Sequence, residues 1–335
     1  MRKIINNPEN FVDEFVEGIV LAHPDQVKHP GSDPRVLVRA DAPVMGHVGI
    51  VTGGGSGHLP LFKGYVGRGL CSGVAIGNVF SSPSSEQILE ATKAVDGGAG
   101  VLYLYGNYGG DVFNFDLAAD MAELDDITTA TVLGRDDVAS QPKDRKLDRR
   151  GVAGIVFAYK AAGAAAERGD TLDQVKAVAE DIIENTGTMG VGLSPTILPT
   201  TGQPSFELPE GQMEIGIGIH GEPGSHRGPL ETADQIADRM VSAIVADLEL
   251  VSGDQVAVLV NGLGATPLEE LYLLFRRAHQ ILDAQGIGIK KCYIGEYATS
   301  LEMAGASISL LKLNDQRLEL LCAPAKSPFF EETPA

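Results

Sequence analysis

Short apolar runs alternate with longer amphipathic runs through the first part of the chain, and this alternation predicts strands separated by helices. The predicted strands are residues 48–51, 73–76, 101–105 and 128–133, and the helices between them are residues 84–94 and 112–124. Strand, helix and strand at this spacing are typical of a parallel sheet with helices on its faces. We therefore expect an N-terminal α/β domain built on a doubly wound parallel sheet.

The second part of the chain repeats the alternation. Helices at 153–168 and 172–185 are predicted to complete the first domain, the second of them capped by Asp170 or Thr171. Strands are predicted near 191–193, 214–219, 256–260, 287–294 and 308–313, with helices near 233–248 and 268–284. These elements predict a C-terminal α/β domain with a mixed sheet. We place the boundary near residues 186–189, giving domains 1–187 and 188–335.

Glycine-rich segments follow several of the predicted strands. They lie at residues 53–58, 106–111 and 261–266 and around residue 220, and three of them contain a titratable side chain: His58, Asp111 and His220. In open α/β sheets, ligands bind beyond the carboxyl ends of the strands. The three side chains are therefore the candidate functional residues.

Residues 215–219 alternate Ile with Gly and lead directly to His220. Alternate residues of a strand face opposite sides, so the isoleucines can be buried while the glycines leave room for a ligand. The pattern predicts a strand that delivers His220 to an open rim. The alternative is a histidine that closes a strand and hydrogen-bonds to the turn.

The segment 53–58 matches neither a phosphate-binding loop nor the GxSxG turn of a nucleophilic serine. What remains is a glycine-rich turn whose backbone N–H groups, at Gly55, Ser56 and Gly57, can bind the oxygens of a small polyol. His58 begins the next segment. An ordinary tight turn between strand and helix is the alternative.

Asp111 precedes the predicted helix 112–124, where helix capping is its simplest role. The alternative is a general base that takes a proton from a substrate hydroxyl. His220, Glu222 and His226 do not have metal-site spacing, so no metal is expected. The basic residues of segment 143–150 are interpreted as a solvated loop, with docking of an acidic partner as the weaker alternative.

The composition narrows the class of protein. The 335 residues carry a net charge of −19, which argues against nucleic acid or an anionic membrane as a partner. Cys71, Cys292 and Cys322 are far apart and suggest neither disulfides nor a zinc site, so a reducing cytoplasm is expected. No apolar stretch approaches the ~18 residues of a membrane helix, and the N-terminus does not match a signal peptide.

In order along the chain, the motifs GGGSGH (53–58), VDGGAGV (95–101), NYGGD (107–111), RRGVAG (149–154), GIHGEPG (218–224), NGLG (261–264) and TSLEMAG (299–305) closely resemble the substrate-binding subunit of dihydroxyacetone kinases. The resemblance spans nearly the whole chain. It implies that His220 forms a covalent hemiaminal with the ketone, that His58 and Asp111 are catalytic, and that Gly55, Ser56, Gly57 and Gly106 lie at the substrate.

The resemblance also implies partners. The chain has no recognisable ATP site, so no cofactor is expected on it; ATP or ADP with Mg²⁺ is expected on a separate helical nucleotide-binding subunit or fused domain. The family suggests a homodimer. Whether phosphate comes directly from ATP or through a phosphoprotein relay stays open.

Three positions depart from the family pattern: Leu59 replaces a glutamate, Gly106 a lysine and Thr196 a cysteine. Losing the lysine enlarges the site and would suit a four-carbon ketose such as erythrulose. A ketone-sensing coactivator that phosphorylates nothing and a metal-dependent aldolase or isomerase are the alternative functions.

Overall fold

The computed structural model describes residues 3–333, which form two compact units. Unit 1 comprises the described residues through Leu133, Phe157–Ile182 and those from Glu319 onward; unit 2 comprises Gly134–Val156 and Ile183–Leu318. The predicted boundary between residues 187 and 188 is a single cut, whereas each unit is assembled from separate segments. His58 and Asp111 belong to unit 1, and His220 belongs to unit 2.

The first part of the chain follows the predicted order of elements, but its third strand continues through Ser56, so residues 53–56, predicted as part of a turn, belong to that strand. Its helices are α1 (Phe11–Ala22), α2 (Ser85–Val95), α3 (Gly109–Glu123), α4 (Ile155–Arg168) and α5 (Leu172–Glu184). Its strands are β1 (Val27–Lys28), β2 (Val36–Arg39), β3 (Gly49–Ser56), β4 (Gly73–Val79), β5 (Val101–Gly106) and β6 (Thr129–Gly134).

The rest of the chain adds three helices and eight strands among the described residues. The helices are α6 (Ala233–Asp247), α7 (Leu268–Ala284) and α8 (Asp315–Cys322). The strands are β7 (Thr186–Ser194), β8 (Gln212–Ile215), β9 (His226–Pro229), β10 (Gln255–Gly262), β11 (Gly288–Gly295), β12 (Ala304–Leu313), β13 (Ala325–Ser327) and β14 (Phe330–Glu332).

The first six-stranded sheet has the order β1-β2-β4-β3-β5-β6. Strand β3 pairs in parallel with both β4 and β5, which confirms the predicted parallel core. All eight residues of β3 are buried, as expected for a strand covered on both faces. Strands β1 and β2 form an antiparallel edge that the sequence analysis did not include.

Helices α2 and α3 begin in different ways. Ser84 and Gln87 form a capping box that begins α2. Helix α3 begins at Gly109, three residues before its predicted start, and its N-cap residue Tyr108 makes no side-chain capping hydrogen bond. Asp111 therefore lies within the first turn of α3 and is not its N-cap.

The second sheet has the order β11-β10-β12-β7-β8-β9, with β10 and β11 parallel and the other pairs antiparallel, which confirms the predicted mixed sheet. Strand β8 ends at Ile215, so the predicted strand through residue 219 is wrong. Gly216 has a φ of +80°, a value that interrupts an extended strand. Residues 216–225 instead connect the antiparallel strands β8 and β9.

The alanine-rich helix α4 is deeply buried although it contains Lys160. The Lys160 ammonium group donates a hydrogen bond of 2.9 Å to the carbonyl oxygen of Leu320. Within residues 3–333, no helix is both long and apolar enough to cross a lipid bilayer.

Candidate functional site

His58 lies two residues after β3 and is completely buried. Its imidazole stacks on the Phe80 ring, with centroids 5.0 Å apart and planes 15° apart. The Phe62 ring approaches it edge-on, with centroids 6.4 Å apart. Contacts of this kind with two aromatic rings fix the plane of the imidazole.

The glycines before His58 allow these rings to pack closely. A Cβ atom on Gly54 would lie 2.2 Å from the Phe62 ring, and one on Gly55 would lie 2.7 Å from the Ser81 nitrogen. The Ser56 hydroxyl donates a 2.8 Å hydrogen bond to the carbonyl oxygen of Gly77. Gly54 and Gly55 thus have a packing role in addition to any role at a substrate.

Asp111 is only 6% exposed and lies in the first turn of α3. A carboxylate is stabilised there by the positive end of the helix dipole. Tyr105, at the end of β5, stacks on Phe115 of α3 with ring centroids 3.9 Å apart. Burial, followed by the charges of Asp116 and Asp111, raises the pKa of Tyr105 well above its usual value.

The connections that follow β3, β4 and β5 meet at one edge of the sheet. These strands are parallel neighbours, so their carboxyl ends lie together. Phe80, after β4, stacks on His58, and a Cβ atom on Gly110 would lie 2.7 Å from the Ser82 hydroxyl. The sheet topology therefore places His58 and Asp111 at the same edge, and Gly106, also buried, ends β5 there.

His220 lies in a tight turn between β8 and β9. The Gly218 N–H donates to the Glu222 carbonyl at 3.1 Å, and the Gly221 N–H donates to the Gly218 carbonyl at 3.0 Å. Ile217 and Ile219 are buried and anchor the turn, while the His220 side chain is 24% exposed. The imidazole is therefore accessible to solvent, as the sequence predicts, although no strand carries it.

The Glu222 carboxylate binds both the side chain and the backbone of His220. Its Oε1 lies 2.7 Å from His220 Nδ1, and its Oε2 accepts a 3.0 Å hydrogen bond from the His220 N–H. Burial raises the pKa of Glu222, but the hydrogen bond from His220 and the charges of His220 and Arg150 outweigh burial and lower it to about 2. An ionised carboxylate can only accept, so Nδ1 carries the proton and Nε2 keeps its lone pair when the imidazole is neutral.

This role of Glu222 is not apparent from the sequence, in which the residue is only a candidate metal ligand. The signal was an acidic residue two positions after a histidine, with glycine between them in a turn. Among residues 3–333, no group of three or more His, Cys, Asp or Glu side chains is placed to hold a metal ion.

The basic segment is partly buried, which corrects its interpretation as a solvated loop. Arg149 is 1% exposed and forms hydrogen bonds of 2.8 and 2.7 Å with the two carboxylate oxygens of Asp247. Arg150 has a side chain only 15% exposed. Lys143 and Arg145 remain at the surface, as expected.

The fold and these residues define a two-sheet α/β protein in which glycine-rich segments precede or surround two histidines and a buried aspartate. Residues 17–329 match the family described as the Dak1 domain. The chain belongs to that family, as the sequence motifs predict.

Two relatives show how the match extends. The chain is 44% identical over 331 residues to the PTS-dependent dihydroxyacetone kinase 2, dihydroxyacetone-binding subunit DhaK, of Listeria innocua serovar 6a, covering 99% of each chain. It is 41% identical to the L-erythrulose kinase of Pectobacterium atrosepticum, covering 99% of this chain and 56% of the relative.

Two solved structures share the whole fold. The dihydroxyacetone kinase of C. freundii superposes with a TM-score of 0.91 at 31% identity, covering 100% of this chain and 61% of that one. The dihydroxyacetone kinase operon co-activator DhaQ superposes with a TM-score of 0.89 at 31% identity, covering 96% of this chain and 99% of that one.

Proposed function

We propose that this chain is the ketose-binding subunit of a dihydroxyacetone-type kinase and that His220 holds the ketose covalently. The observation that carries the proposal is the Nδ1–Glu222 pairing, which directs the Nε2 lone pair away from the carboxylate in a partly exposed turn. The names of the relatives, which are dihydroxyacetone-binding subunits and erythrulose kinases, support the substrate class.

The covalent step is an addition. The Nε2 lone pair attacks the ketone carbon, the π electrons of the carbonyl move to its oxygen, and that oxygen takes a proton from solvent. Nδ1 keeps its proton, and the Glu222 carboxylate stabilises the positive charge that develops on the imidazole ring. Glycerol has no electrophilic carbonyl, so the step selects ketoses over polyols.

Asp111 and His58 are proposed to manage the proton of the hydroxyl that receives phosphate. Asp111 is the proposed general base, because a positioned carboxylate can accept that proton as the oxygen attacks phosphorus. His58, fixed by Phe62 and Phe80, is proposed to assist at the same hydroxyl. Phosphoryl transfer then depends mainly on positioning and charge stabilisation.

The phosphoryl donor is proposed to lie on a partner. The Listeria relative is named as a binding subunit, and the C. freundii kinase, also solved with AMP-PNP and Mg²⁺, is a longer chain of which this chain covers 61%. We propose that this chain binds no cofactor itself, acts as a homodimer, and meets ATP or ADP with Mg²⁺ on a helical partner. The chain alone is then expected to show no ATP-dependent turnover.

Intact-mass measurement under non-denaturing conditions tests the covalent step. With dihydroxyacetone, the wild-type chain should gain the full mass of one ketose, because addition loses no atoms. The His220→Ala variant should show no gain, while His226→Ala, which changes an exposed histidine on β9, should behave as the wild type. A full adduct on His220→Ala would show that another residue is the nucleophile.

A ketone-sensing coactivator is a second candidate function, because the chain matches DhaQ over nearly the full length of both proteins. Both functions allow the adduct, so the adduct does not separate them. Turnover of dihydroxyacetone or erythrulose with the nucleotide-binding partner and Mg²⁺-ATP does. Phosphorylated ketose supports the kinase subunit, and an adduct without any product supports the coactivator.

A further inference from the structure

Arg150 lies between two carboxylates of unit 2. Its Nε and Nη2 atoms lie 2.9 and 2.8 Å from Asp137 Oδ2, and its Nη2 donates to the Gly216 carbonyl at 3.1 Å. On the other side, Arg150 Nη1 lies 3.9 Å from Glu222 Oε2. The guanidinium group thus joins the segment after β6 to the turn that carries His220.

Asp137 is a rigid anchor for this guanidinium. Its side chain is 3% exposed, and its Oδ1 accepts a 3.1 Å hydrogen bond from the Ala139 N–H. The backbone N–H of Asp137 also donates to the Arg150 carbonyl at 3.1 Å. Burial of an ion pair adds little net stability, because desolvation offsets the attraction between the charges.

Gly218 leaves the space in which Arg150 and Glu222 approach each other. A Cβ atom at this position would lie 2.1 Å from Glu222 Oε2 and 2.6 Å from Arg150 Nη1. Any larger residue would push the carboxylate, the guanidinium or both out of place. The contact between Arg150 and Glu222 therefore depends on glycine at position 218.

We propose that Arg150 is a positioning residue that holds the Glu222 carboxylate against His220 and thereby keeps the imidazole proton on Nδ1, so that Nε2 carries the lone pair that attacks the ketone. The proposal rests on the proposed function of His220. Glu222 Oε1 binds Nδ1, while Oε2 accepts the His220 N–H and lies 3.9 Å from Arg150 Nη1, so the guanidinium charge adds to that hydrogen bond in fixing the rotation of the carboxylate. Without that charge Oε2 keeps the hydrogen bond from the His220 N–H, but the carboxylate is less firmly oriented and selects the imidazole tautomer less strongly.

Nitrogen-15 NMR of the histidine side chains tests this in the ligand-free chain, at a pH where His220 is neutral. The wild type should show His220 with its proton on Nδ1. Arg150→Gln should show a mixture of tautomers, and Arg150→Lys, which keeps a positive charge, should restore most of the wild-type signal. An unchanged tautomer in a folded Arg150→Gln variant would overturn the proposal.

Gly218→Ala provides a second, independent variant, since it disturbs the same contact and removes neither charge. It should give the same mixture of tautomers as Arg150→Gln, and it decides the question if Arg150→Gln does not fold. The control is Arg276→Gln, which removes an exposed ion pair with Asp234 in the same unit and should leave His220 unchanged. A wild-type tautomer in Gly218→Ala would contradict the proposal.

The rate of adduct formation separates this proposal from the proposed function. In Arg150→Gln the rate constant should fall by roughly tenfold or more, the scale on which outer groups that orient a histidine act, while the amount of adduct at saturating ketose changes less. If the wild type forms no adduct at all, the proposed function fails. The NMR result on the ligand-free chain would still test the role of Arg150, because it does not depend on adduct formation.

Discussion

The two candidate histidines occupy opposite environments. His58 follows the parallel strand β3 and is completely buried against two aromatic rings. The His220 side chain is 24% exposed and pairs with the Glu222 carboxylate in the turn between the antiparallel strands β8 and β9. The same side chain is held by packing in unit 1 and by charge in unit 2. The environment thus leaves the His220 imidazole partly exposed and fixes the plane of the His58 imidazole.

Buried cationic side chains are held in two different ways. In unit 2, Arg149 pairs with Asp247 and Arg150 pairs with Asp137. In unit 1, Lys63 is 3% exposed, and its ammonium lies 5.0 Å from the centre of the Phe15 ring. Burial lowers the pKa of Lys63 to about 7. Arg149 and Arg150, like Arg39 in unit 1, are therefore compensated by carboxylates, whereas Lys63 is held beside an aromatic ring.

The largest effect is expected from Asp111→Asn, which keeps the shape of the side chain but removes a base. Turnover with the partner present should fall by roughly 10²-fold or more, the usual scale of general acid–base catalysis, while adduct formation on His220 persists. Asp116→Asn, on the exposed face of the same helix, is the control. Near-normal turnover would leave Asp111 with only a structural role.

Glu222→Gln tests the charged environment of His220. The amide keeps the size of the side chain but cannot stabilise a positive imidazole, so the rate of adduct formation should fall by roughly 10–100-fold. Mass spectra recorded at successive times after mixing give the rate of adduct formation. Glu210→Gln, at an exposed position of the same unit, should match the wild type. Wild-type kinetics in Glu222→Gln would show that the carboxylate does not assist the addition to His220.

Lys63→Met should stabilise the protein, because it removes a charge from an apolar position. The folded pKa is below the unfolded one, so the penalty is fully present below pH 7 and fades as pH rises toward the unfolded pKa of about 10.4. We expect a gain of roughly 1–3 kcal/mol at neutral pH and little near pH 10. Chemical denaturation across this range measures it, with Lys93→Met as the exposed control.

A penalty that does not change with pH would show that Lys63 is charged in the folded protein throughout. The aromatic contact with Phe15 would then compensate for its burial, and the contrast between Lys63 and the paired arginines would weaken.

Gly106→Lys should produce the smallest effect, a shift of a few-fold in the preference between erythrulose and dihydroxyacetone, since a cationic side chain fills space and adds a donor. The ratio of kcat/KM for the two ketoses, measured with the partner, reports the preference. An unchanged ratio would show that Gly106 does not set the size of the substrate.

The regular elements were predictable where the local sequence determines them. Helix α2 has its own capping box, and β3, β4 and β5 each contain a short apolar run. Strands β1 and β2, with two and four residues, are too short to show a period. Strand β8 was predicted too long, because an alternating Ile and Gly pattern does not reveal the positive φ of Gly216.

The residues of the candidate site also differ in how far the local sequence reveals them. His58, Asp111 and His220 stand out because glycine-rich motifs surround them. The burial of Arg149 depends on Asp247, 98 residues further along the chain, and that distance hides the pair from any local pattern. Arg150 meets Glu222 only after β8, β9 and the segment after β6 have folded together. Long-range charge pairs of this kind follow from the fold and not from the motif.

Carbon-13 NMR of dihydroxyacetone labelled at its carbonyl carbon tests the central claim most directly, because the hemiaminal converts that carbon from trigonal to tetrahedral. With the wild-type chain, the account predicts a new protein-bound signal in the region of tetrahedral carbons bearing oxygen and nitrogen. The signal should be absent with His220→Ala and present with His226→Ala. A bound ketose whose labelled carbon remains a carbonyl in the wild type would contradict the account.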